Sequence, residues 1–146
     1  MPNHMKKYSC LFSLLILLSA KSLLASTSIS TAIVSGHWTL AGSPYNIYND
    51  ISVPNGQTLI IDPGVNVDFQ GQFSFKIYGS LSAIGTGSQP IVFTVADTTG
   101  FLADTITTAG GWHGIRFFDY SGIGADVSSL KHCSISLFSL RNRIYK

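Results

Sequence analysis

From Ile51 onward the chain alternates apolar and polar residues in short runs. These are Ile51-Ser-Val53, Leu59-Ile-Ile61, Val65-Asn-Val-Asp-Phe69, Phe73-Ser-Phe-Lys-Ile77 and Ile91-Val-Phe-Thr-Val95. A period of two puts successive side chains on opposite faces, so each run predicts a strand with one buried side. Between the runs lie Pro54-Asn-Gly56, Asp62-Pro-Gly64, Gln70-Gly71, Gly85-Thr-Gly87 and Gln89-Pro90. Glycine there supplies positive φ and proline fixes φ near −65°, which marks turns. No helical period is present after residue 28.

The runs repeat. Val65, Val67 and Phe69 align with Ile91, Phe93 and Val95 at a spacing of 26. Gly56 and Gly79 are 23 apart, which aligns Thr58 with Leu81 and Ile61 with Ile84. After a Thr/Gly-rich insertion from Asp97 to Gly110, Ile115-Arg-Phe117 aligns with Phe75-Lys-Ile77, and Ser129 to Ile135 restarts the pattern. Several short strands within a period in the twenties predict a solenoid whose coils pair edge to edge over one continuous core. The expected fold is all-β, a right-handed parallel β-helix with an N-terminal capping strand and about three coils. An antiparallel sandwich is the alternative, disfavoured by the aligned repeat and by the shortage of two-residue hairpin signals.

Gly36-His-Trp-Thr39, Gly42-Ser-Pro-Tyr45, Ile51-Ser-Val-Pro-Asn-Gly56 and Leu59-Ile-Ile-Asp-Pro-Gly-Val65 resemble the N-terminal opening of bacterial right-handed parallel β-helix repeat proteins. Gly79-Ser-Leu81, Ser88-Gln-Pro-Ile-Val-Phe-Thr94, Trp112-His-Gly-Ile-Arg-Phe117 and Leu130-Lys-His-Cys-Ser-Ile135 extend that resemblance, which covers about residues 35–137. It implies the fold and a position within it, not an activity, because this opening fronts proteins of many kinds. Such proteins usually continue for more coils. Here Ser136 to Lys146 leaves the pattern, so the expectation is a truncated chain with an uncovered last coil.

The segments expected are a signal peptide (1–28), a cap segment (29–50), the coils (51–137) and an off-pattern tail (138–146). The leader reading rests on Lys6 and Lys7, an apolar stretch from Leu11 to Ala20 and the small residues Ala25-Ser-Thr-Ser28. That stretch is far shorter than the roughly twenty residues of a bilayer span. It implies export, to the medium or the cell surface. With the leader removed, Cys10 goes and Cys133 has no intramolecular disulfide partner.

Composition changes the picture once the leader is set aside. The 146-residue chain is 45% hydrophobic and 11% charged, with formal net charge +2. Between Thr27 and Leu140, however, three cations (Lys76, Arg116, Lys131) face seven aspartates, a balance of −4. No basic stripe exists to neutralise phosphates, which argues against nucleic-acid binding.

The chemistry-bearing residues are scattered. Asp50, Asp62, Asp68, Asp97, Asp104, Asp119 and Asp126 share no short motif. Calcium wants 6–8 oxygens, so turn formers and solvated strand faces are the better reading. Lys76 and Arg116 fall at matching points of successive passes and are expected to stack on one outer face as surface charges. His37, His113 and His132 lack zinc spacing. His132 and Cys133, read as neighbours on one strand, would point to opposite faces, which disfavours a Cys–His nucleophile pair and makes Cys133 a small buried hydrophobe. Trp38, Tyr45, Tyr48, Tyr78, Trp112 and Tyr120 are candidates for stacking on sugar rings, with core packing preferred for the two tryptophans.

No catalytic, cofactor-binding or metal-binding set is assigned, and no cofactor is expected. The expected function is a secreted or surface β-helix scaffold, non-catalytic as it stands and glycan-contacting or adhesive. Its expected partners are polysaccharide or cell-surface glycan, with self-association through the open last coil. The alternative is the front end of a polysaccharide lyase or glycoside hydrolase whose active site lies in further coils.

Overall fold

The computed structural model describes residues 25–98, 111–118 and 127–136. The leader, the insertion 99–110, the segment 119–126 and the tail 137–146 lie outside the described residues.

Among the described residues, twelve short strands wind through three faces. β1 (Thr27–Ile29) opens the described chain. The first complete coil is β2 (Gly36–Trp38), β3 (Tyr45–Ile47) and β4 (Ile51–Val53). The second is β5 (Thr58–Ile61), β6 (Asn66–Phe69) and β7 (Phe75–Ile77), and the third β8 (Ser80–Ile84), β9 (Ile91–Val95) and β10 (Ile115–Phe117). β11 (Ser129–Lys131) and β12 (Cys133–Ile135) begin a fourth. They form three sheets, in the orders β1-β3-β6-β9-β12, β4-β7-β10 and β2-β5-β8-β11. Every ladder is parallel. That rules out the antiparallel sandwich and establishes the parallel β-helix. A parallel pair needs a long crossover, and here each crossover carries the strands of the other two faces.

The turns hold because glycine sits where the backbone demands it. Gly56 and Gly64 have φ of 72° and 80°, the left-handed region that costs a side-chain-bearing residue. At Gly79 the demand is space, since a Cβ there would overlap the carbonyl oxygens of Pro54 and Gln57.

The alternation becomes a core by stacking. Val65, Val67, Phe69, Ile91, Phe93 and Val95 all point inward and are buried, as the sequence predicts. Tyr45, Val67 and Phe93 lie in register on one face, and Ile47, Phe69 and Val95 beside them. Trp38 stacks on Tyr45 with ring centroids 4.5 Å apart, and Trp112 on Phe69 at 4.1 Å. Both tryptophans are buried, which is the core role preferred for them. The inward positions of the last rungs are different. Phe117 pairs with Ile77 and Ile135 with Phe93, yet they are 51% and 39% exposed, because among the described residues no further rung lies over them.

One sequence alignment is corrected. β5 and β8 pair with Thr58 opposite Ser80 and Ile61 opposite Ala83, a spacing of 22 rather than 23. A slip of one residue would have put exposed Thr58 in line with buried Leu81 and buried Ile61 in line with exposed Ile84, reversing both faces. The cap segment, residues 29–50, contains β2 and β3, which pair with β5 and β6. The alignments at Val67–Phe93, Phe69–Val95 and Phe75–Ile115 match the observed ladders.

Candidate functional site

With every second residue committed to the core, chemistry is confined to three outer faces and the corners between them. On the β2-β5-β8-β11 face, His37 is in register with Ile60, Ser82 and Ser129. The corner after β5 brings Asp62 back under it, with His37 Nε2 2.6 Å from Asp62 Oδ1. Both side chains are open to water, and a surface pair of this kind adds little stability.

The β1-β3-β6-β9-β12 face carries a polar ladder. Asn46, Asp68 and Thr94 are in register. Gln70 Nε2 donates to the Asp68 carbonyl at 3.2 Å and to Asn46 Oδ1 at 3.5 Å, while Asn66 N donates to Ser43 Oγ at 2.9 Å. Ser136 Oγ reaches Thr94 Oγ1 at 3.3 Å. Asp68 points outward, as the alternation predicts, but is half-covered rather than free, and one oxygen each of Asn66 and Asp68 is buried without a hydrogen-bond partner.

The β4-β7-β10 face differs in character. Ser52, Lys76 and Arg116 form one outward row, in register across three strands. The expected stacking of Lys76 and Arg116 is therefore present. Asp50, in the corner before β4, accepts the Ser74 N–H at 2.8 Å with Oδ1 and lies 3.4 Å from Lys76 Nζ with Oδ2. Two residues along, Tyr78 N donates to the Val53 carbonyl and Phe118 N to the Ile77 carbonyl, so Pro54, Tyr78 and Phe118 continue as a second outward row. The Tyr78 and Phe118 rings stack with centroids 4.8 Å apart and planes 21° apart. A shallow groove lined by Ile33, Ser52, Pro54, Asn55 and Tyr78 runs beside them.

The remaining candidates are placed as follows. Asp97 lies two residues past β9, its carbonyl accepting from Gly111 N at 3.0 Å, and Asp104, Asp119, Asp126 and Tyr120 lie outside the described residues. Asp50, Asp62 and Asp68 go to different faces and corners. His113 Nδ1 is 3.4 Å from the hydroxyl of buried Ser74. Tyr48 is exposed. His132 is not on a strand with Cys133. It forms the bend between β11 and β12, with φ of 48°, so alternation does not apply to the pair. Cys133 is only partly buried, over Ile91, with its Sγ 3.3 Å from the Ala83 carbonyl. Burial pushes the thiol above its usual value of 9.0, against the opposing effect of its hydrogen bond to Lys131. Among the described residues no three His, Cys, Asp or Glu side chains gather to hold a metal, and no helix is long and apolar enough to cross a membrane.

The pairs His37–Asp62 and Asp50–Lys76 were not singled out from sequence. Each joins residues 25 or 26 apart, about one coil, and that period is the signal that locates them.

No family model matches the chain, and no solved structure matches it. Over 54 residues it is 41% identical to protein bark beetle of Drosophila melanogaster. That stretch is 37% of this chain and 2% of the length of the other, a local likeness to a small piece of a much longer protein.

Proposed function

We propose that this chain is an exported β-helix scaffold, non-catalytic as it stands, that presents rows of outward side chains to glycan. The observation carrying this reading is the registered outer face of β4-β7-β10, where charged and aromatic rows run side by side at the strand spacing. A solenoid holds the backbone under such rows at a repeat of about 4.8 Å, so binding has only side chains left to order. Export is proposed from the leader's basic start and short apolar stretch, and kinship with the bacterial β-helix repeat proteins from the motifs between residues 35 and 137. Association with a second copy through the edges of β11 and β12 completes the proposal.

The test is incubation of the full chain with a panel of polysaccharides, following both retention and polymer length. The expected result is retention with polymer length unchanged. Shortened polymer carrying new reducing ends or unsaturated ends would replace the scaffold reading with the hydrolase or lyase alternative.

A further inference from the structure

Of the three cations between Thr27 and Leu140, two stand directly opposite each other. Lys76 and Arg116 pair across β7 and β10, and like charges facing across a ladder repel. Asp50 offsets Lys76 at 3.4 Å. Arg116 is exposed and has no carboxylate within ion-pair distance among the described residues. With Lys76 offset by Asp50, Arg116 is the cation of this row that an anion would pair.

The neighbouring row supplies the second half of a site. Tyr78 lies just past the end of β7, two residues after Lys76, and Phe118 just past the end of β10, two residues after Arg116. The two rings cover the faces they turn to each other, and Phe118 remains partly open to solvent. A pyranose ring has an apolar C–H face, and an acidic sugar carries its anionic group at the ring's edge. The open part of Phe118 matches that face, while the guanidinium fork of Arg116 matches a carboxylate or sulfate.

We infer that the outer face of β4-β7-β10 binds an acidic saccharide, its ring against the open part of Phe118 and its anionic group on Arg116. This rests on the glycan-contacting reading above and names the ligand class and the residues.

The experiment measures binding of the full chain to polygalacturonate, dextran sulfate and neutral dextran at fixed salt, with variants first checked for native circular dichroism. Both acidic polymers should bind at least about ten-fold tighter than dextran, as expected for charge-assisted hydrogen bonds. Arg116→Gln should lose about that factor, and Phe118→Ala should weaken binding without changing its salt dependence. Lys131→Gln removes the same charge from another face and should bind like the parent. Binding to polygalacturonate but not dextran sulfate would identify the anion as a carboxylate, and the reverse as a sulfate. Equal losses for Arg116→Gln and Lys131→Gln would overturn the site in favour of diffuse charge. Equal binding to all three polymers, unmoved by Arg116→Gln, would overturn the site but keep glycan contact. No binding to any polymer would remove both.

Discussion

At the residue scale, stability and surface chemistry are separated by a single step along the strand. Phe93 is fully buried between Val67 and Ile135, so Phe93→Ala should cost about 3–5 kcal/mol in equilibrium denaturation. Asp68 faces outward one rung below, and Asp68→Ala should change stability by no more than about 0.5 kcal/mol. Its partnerless carboxylate oxygen means that nothing paired is lost. Similar costs at both positions would contradict the alternation. Gly79→Ala should be more damaging than Gly87→Ala, because its Cβ meets two backbone carbonyls while none lies within 4 Å of Gly87. Cys133 gives a pH test. Its folded thiol titrates above 9.0, so the thiol's contribution is intact below the unfolded value and declines as pH rises through the folded one. In a Cys10→Ser chain, the pH at which Cys133 becomes half-reactive toward a thiol reagent should be higher in the folded than in the denatured protein. Equal midpoints would show that burial does not act on it.

At the element scale, Trp112 is the clearest coupling point. It is buried against Phe69 of the second coil, and its Nε1–H donates to the Ser136 carbonyl at 2.9 Å, just past β12. One side chain thus ties three successive coils. Trp112→Phe should keep most of the packing and lose the hydrogen bond, costing about 1 kcal/mol, whereas Trp112→Ala should cost about 3–5 kcal/mol. Amide exchange should localise the loss to β9 and β12, since nearest-neighbour coil contacts carry solenoid stability. Uniform acceleration over all coils would mean the solenoid unfolds as one unit.

At the scale of the whole molecule, two outcomes test the proposed life of the protein. Intact mass of the exported species should show loss of about 22–28 residues, and a cell-retained full-length species would defeat the leader reading. Self-association should rise with concentration in sedimentation of the leaderless chain. Ile135, an inward position left 39% exposed, is the place to block it. Ile135→Lys should shift the chain toward monomer, as charge on an open edge does in natural sheets. An unchanged distribution would place the contact elsewhere.

Alternation and turn chemistry, both local properties, sufficed for β4, β5, β6, β7 and β9, their inward faces and a repeat in the twenties. Val65 to Phe69 and Ile91 to Val95 carry those signals within five residues each, and their register follows from matching the two runs. The pairing of β5 with β8 did not follow, because Thr58 to Ile61 and Ser80 to Ile84 contain apolar residues on both sides of the alternation, leaving two registers open. Coil-on-coil packing chose the one that buries Leu59, Ile61, Leu81 and Ala83 together. The outer rows divide in the same way. The matching that placed Lys76 beside Arg116 extends one step to Tyr78 and Phe118, but Asp50 on Lys76 and Asp62 on His37 depend on how corners of unequal length return the chain to each face. Strand character is written in neighbouring residues, whereas a surface is written across coils, and only the closed solenoid brings those coils together.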